Sequence, residues 1–110
     1  MFFVVIAKDH PGSAMRQKFR AEHLEFIADK QHLFRFGGPL LDETGKPAGS
    51  LMILDFPDRA ALDKHLAQDP YFREPVFESV QIHETRWIVP EMQPGALAAE
   101  IAKQKAATAA

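Results

Sequence analysis

The chain has 110 residues, 46% of them hydrophobic and 25% charged, with a formal net charge of -2 at pH 7 and no cysteine. That size and balance describe one globular domain with a single core. Lys and Arg are spread along the chain without a basic excess, which speaks against nucleic acid as a partner, and the lack of cysteine excludes disulfides, a thiolate nucleophile and thiolate-bound metals. The opening apolar run, Met1 to Ala7, is far short of the roughly 20 residues that span a bilayer. It has no basic stretch in front and meets Lys8-Asp9 at once, unlike a signal peptide. No membrane partner is expected, and the cytoplasm is the expected compartment.

Phe2 to Ala7 is aromatic and β-branched without alternation, which predicts a strand covered on both faces. Asp9-His10-Pro11-Gly12 turns the chain. Ser13 is a candidate N-cap for a helix running to about Gln31, with Met15, Phe19, His23, Phe26 and Ile27 inward and Arg16, Glu22, Glu25 and Asp29 outward. Its centre, Arg20-Ala21-Glu22-His23-Leu24-Glu25-Phe26-Ile27, places one ionisable ring inside an apolar stripe. His23 is there either a packed, hydrogen-bonded core residue or a proton-transfer group at the wall of a pocket. His32, near the helix end, reads as a solvated residue favoured by the helix dipole.

Leu33 to Leu41 predicts a second strand, interrupted by Gly37-Gly38-Pro39, where glycines suggest a bulge or close approach and proline disfavours a central position. A polar loop over 42–49 leads to a third strand, Ser50 to Phe56, again apolar on both faces. Asp58 caps a second helix with Leu62 and Leu66 inward and His65 half-buried, ending at Asp69-Pro70. Val76 to Val89 predicts a long fourth strand, with Val80, Ile82 and Ile88 on one face and Trp87 and Val89 on the other, stopped by Pro90. The chain divides into a domain over 1–90 and an Ala-rich extension over 91–110 that could form a short helix.

Strand, helix, strand, strand, helix, strand is the ferredoxin-like α+β plan with a four-stranded antiparallel sheet. Two helices cover only one face of such a sheet, whereas the first and third strands are apolar on both. A second copy packed sheet to sheet would bury the remainder, giving a homodimer with cavities between or beside the sheets.

Asp69-Pro70-Tyr71-Phe72 reads first as a helix cap followed by proline at the first helical position. In this fold the same turn lies at the edge of the helical layer that carries His23. A carboxylate there could reach the imidazole, fix its tautomer and leave the other nitrogen free for proton transfer. Five scattered histidines with no ligand spacing imply no metal, and no cofactor is expected.

Arg20-Ala21-Glu22-His23-Leu24, Gly37 to Asp42, Gly45, Gly49-Ser50-Leu51, Asp69-Pro70-Tyr71 and Phe77-Glu78-Ser79-Val80, in that order and spacing from Met1 to about Ile82, resemble the YciI-like (YCII-related) proteins. The resemblance implies a dimeric α/β-barrel of ferredoxin-like units and an active site with a His-Asp pair, His23 and Asp69 in this chain. It places Ser50 and the Gly38-Pro39 bend in the pocket lining. Characterised relatives imply proton-transfer or elimination chemistry on small ring compounds, such as dehydrochlorination of a chlorinated hydroxyquinol. Where family members often follow the last strand's Ile with Arg-Pro, this chain has His83-Glu84-Thr85-Arg86-Trp87, so no role carries over to Arg86 or Trp87. Arg20, one turn before His23, could hold an anionic substrate group or be a solvated helix arginine.

The expected function is a small cofactor-independent lyase or isomerase acting on a small cyclic or aromatic metabolite, with His23 as acid/base and Asp69 as its orienter. The alternative is a non-catalytic dimeric domain that binds a small molecule.

Overall fold

In the computed structural model, which describes residues 1–109, four strands form one antiparallel sheet in the order β2-β3-β1-β4. They are β1 (Phe2–Asp9), β2 (Phe34–Leu41), β3 (Pro47–Asp55) and β4 (Phe77–Thr85). The helices are α1 (Met15–Lys18), α2 (Arg20–Ala28), α3 (Arg59–Gln68), α4 (Pro70–Arg73) and α5 (Ala96–Thr108). This is the ferredoxin-like βαββαβ arrangement, α+β in class.

Residues directly opposite in antiparallel strands share a face, so the register sorts the side chains. Phe3, Val5, Met52 and Leu54 face the helices and join Phe56, Leu62 and Leu66 in the core. Phe2, Val4 and Ile6, opposite Asp55, Ile53 and Leu51, form the other face, which the chain's own helices leave open and only half-buried. β2 lies at the sheet edge, and there Pro39 is tolerated because its missing N–H need not serve a second neighbour. Gly49 is fixed by crowding: a Cβ at this position would collide with the Ala7 carbonyl oxygen of the neighbouring strand.

Three elements differ from the sequence-based expectation. The first long helix is broken at Phe19, whose backbone (φ -103°, ψ 9°) leaves helical values, and a 3-10 turn covers Gln31–Leu33. β3 starts at Pro47, inside the expected loop. β4 stops at Thr85 because β1 begins at Phe2, opposite Thr85, and offers no backbone partner beyond it. Trp87 and Val89 therefore do not alternate with Ile88 along a strand; Trp87 instead sets its ring edge against Phe2 at 5.7 Å. No helix among the described residues is long and apolar enough to cross a membrane.

Candidate active site

His23 is on α2, one turn beyond Phe19, and is 7% exposed. Its Nδ1 lies 2.8 Å from Asp69 Oδ1. Asp69 is fully buried and also caps α4, the same Oδ1 accepting from the Tyr71 backbone N–H at 2.9 Å. With the carboxylate as acceptor, Nδ1 carries a proton, so the tautomer that this contact selects has its free lone pair on Nε2. The Tyr71 ring lies flat against the imidazole, with centroids 3.9 Å apart and planes 2° from parallel, so the ring is held by its edge and by its face.

The imidazole forms part of the wall of a cleft of about 550 Å³ between α2 and the β2 edge. Leu24, Ile27, Phe34 and Met52 supply apolar lining, and Gly38 and Pro39 stand on the strand side with Ser50. The cleft opens on the helix-covered side of the sheet, the side that Met52 and Ser50 face. Gly37 sits opposite Met52 and so faces the same side; a Cβ there would come within 3.1 Å of the Phe34 ring.

Arg16, which the helical pattern places outward, turns inward instead. Its Nε donates to Asp9 Oδ2 at 2.7 Å and its Nη2 to Asp9 Oδ1 at 2.9 Å. Nη2 also donates to Ser50 Oγ at 2.9 Å. The break at Phe19 takes α1 off the wheel of α2, so a register counted through both misplaces this side chain. Burial pulls the Arg16 pKa down, but the hydrogen bond and charge of Asp9 outweigh it and hold the pKa above its ordinary value. Arg20 is half-buried at the cleft and makes no ion pair among the described residues. Tyr71 and Arg16 are the site residues missed by pattern reading, the first because an aromatic after Asp-Pro looks like packing.

A second buried imidazole, His65 on α3, lies among Phe26, Phe34 and Phe56 with centroids 5.3, 6.1 and 5.1 Å away. It is 7% exposed, more deeply buried than the half-buried position expected. Its Nε2 has no hydrogen-bond partner among the described residues, and neither has Asp69 Oδ2. Burial pushes the His65 pKa below its ordinary value, against the opposing charge of Asp69. His83 is exposed on β4.

The family model of the YCII-related domain matches residues 1–86. No curated protein matches the sequence. Among solved structures, the chain is similar to a 5-chloro-2-hydroxyhydroquinone dehydrochlorinase from Burkholderia phenoliruptrix AC1100 in complex with 2,5-dihydroxybenzoquinone. Identity is 23%, with 78% of this chain and 94% of that one covered and a TM-score of 0.72. The protein Rv0793 of Mycobacterium tuberculosis is 18% identical, over 81% of this chain and 99% of its own, with a TM-score of 0.52. The protein PA3566 of Pseudomonas aeruginosa is 17% identical, over 80% and 93%, with a TM-score of 0.50. At these identities the likeness is one of fold.

Proposed function

The chain belongs to the YCII-related domain family, and on that premise we propose that it is a small cofactor-independent enzyme of lyase or isomerase type. Its substrate is a small cyclic or aromatic metabolite, His23 is the acid/base and Asp69 is the group that orients it. The observation that supports this most is the 2.8 Å contact between His23 Nδ1 and the buried carboxylate, made by a ring that borders the cleft. The contact points Nδ1–H away from chemistry and leaves Nε2 to take a proton from the substrate and return it at another atom, or to let a leaving group depart before returning it. Apolar walls at Leu24, Ile27 and Met52, with the Gly38-Pro39 edge opposite, suit a flat ring. A protein of the same fold holds 2,5-dihydroxybenzoquinone, a ring for which this cleft has room.

Deuterium uptake from D2O into small cyclic ketones and hydroxylated rings, followed by NMR, together with chloride release from a chlorinated hydroxyquinol, tests the reading. In His23→Ala, uptake or release falls by roughly 10²-fold or more while the circular dichroism spectrum is kept; Asp69→Asn, which retains a cap acceptor, loses rate by a smaller factor. Undiminished activity in His23→Ala overturns the proposal.

A second copy of the chain is the partner we propose for the open sheet face. Phe2, Val4, Ile6, Leu51 and Ile53 make it apolar along its middle, and water is a poor neighbour for so many contiguous large side chains. Light scattering on the purified chain then gives twice the monomer mass. The arginine variant Val4→Arg gives the monomer mass, and a monomeric wild type at all working concentrations overturns this assignment.

A further inference from the structure

Arg16 and Ser50 form a second polar centre in the cleft, separate from the imidazole. An arginine can only donate, so Ser50 Oγ accepts from Arg16 Nη2 and its own O–H is left to donate elsewhere. That hydroxyl proton has no acceptor among the described residues, although Ser50 is 7% exposed and borders the cleft. The guanidinium that polarises it is held by both Asp9 oxygens and lies over the Tyr71 ring, 5.0 Å from its centroid. Tyr71 is also the ring against which His23 is stacked, and its hydroxyl donates to the Arg16 carbonyl at 3.3 Å. One aromatic side chain thus fixes the acid/base and the donor relay relative to each other.

The charge balance of the cleft agrees. Arg16 is compensated by Asp9 and Arg35 by Asp55; Arg20 makes no ion pair among the described residues. No Asp or Glu is among the residues lining the space. Its lining therefore offers one unpaired guanidinium, a polarised hydroxyl and the His23 imidazole against apolar walls.

We propose that the Ser50 hydroxyl, held by Arg16 and Asp9, is a donor site for a ring oxygen that carries or develops negative charge, so that the substrate is a planar ring ketone, enol or phenol. This rests on the proton-transfer reading above and gives it a substrate class. From an enol or phenol His23 Nε2 takes the O–H proton directly; from a ring ketone it takes the proton of a ring carbon next to the carbonyl. The C–H electron pair moves into the ring and onto the carbonyl oxygen, which becomes an enolate held by Ser50 O–H and by the charge of Arg20. The proton on Nε2 then returns to another ring atom; or the enolate electron pair re-forms the carbonyl and breaks the bond to a leaving group on the β-carbon, which departs as an anion while Nε2 gives its proton to water. Arg16 is a positioning residue in this scheme; its guanidinium acts through Ser50.

The test is a binding measurement that needs no turnover. 4-Nitrocatechol, a ring phenolate that absorbs in the visible, is titrated into the purified protein, with 1,2-dimethoxy-4-nitrobenzene as the uncharged ring of similar shape. Wild type prefers the phenolate. Ser50→Ala, which deletes one hydroxyl, weakens phenolate binding roughly tenfold or more and changes binding of the ether little. Arg16→Gln moves the same preference in the same direction. Because that variant leaves Asp9 unpaired and can impair folding, Ser50→Ala and the ratio of the two ligands carry the decision. A preference unchanged in Ser50→Ala, or no preference in wild type, overturns the inference. Loss of deuterium uptake in His23→Ala with uptake unaltered in Ser50→Ala overturns the inference alone. Phenolate binding that depends on Ser50 without uptake on any ring overturns the catalytic reading alone.

Discussion

His23 and His65 are buried to the same extent, both on helices of the layer over the sheet, yet their surroundings are opposite in kind. His23 has a carboxylate on one nitrogen and a cleft along its edge. His65 has phenylalanine rings around it and a nitrogen with no partner. Burial alone therefore does not mark an imidazole as chemical. What distinguishes them is whether one nitrogen is fixed and whether the other can meet a ligand.

The largest expected contrast comes from truncating each ring. His23→Ala removes proton transfer by the factor given above. His65→Ala keeps the rate within about twofold, but leaves a hole in an aromatic cluster and costs stability of about 2–4 kcal/mol, read by urea denaturation. Should His65→Ala abolish turnover in folded protein, the distinction between the two histidines fails.

A smaller effect sharpens the comparison. The folded-state pKa of His65 lies below the ordinary 6.5, so between the two values the unfolded chain binds more protons than the folded one. Stability then rises with pH across that window and is lost as pH falls through it. His65→Phe removes both the proton difference and the unpaired nitrogen. The expected outcome is a flatter stability profile below pH 6.5 and a gain of about 1 kcal/mol at pH 7. A profile as steep as that of wild type assigns the slope to another group.

The order of elements was legible in the sequence because hydrophobic period and turn residues carry it, and so was each half of the His23-Asp69 contact. The apolar stripe at Phe19, Phe26 and Ile27 places His23 inward, and Asp69-Pro70 reads as a cap. What local pattern does not contain is the meeting of the two, 46 residues apart; the expected fold, which sets Asp69 at the edge of the helical layer that carries His23, raised that expectation, and the family resemblance named the pair. Arg16 was misread for a related reason. Its direction depends on the break at Phe19 and on Asp9 and Ser50, which come from two different strands. The end of β4 was overextended because alternation in 86–89 says nothing about whether a neighbouring strand reaches that far.

Asp69 Oδ1 serves the Tyr71 amide and the His23 ring at once. In a relative without the proposed reaction, the short helix would still require this aspartate, whereas nothing in helix capping would require the histidine or the serine. An intact aspartate in some distant cousin is therefore weak testimony to activity; substitution at position 23 or 50 is the sign that the trade has changed.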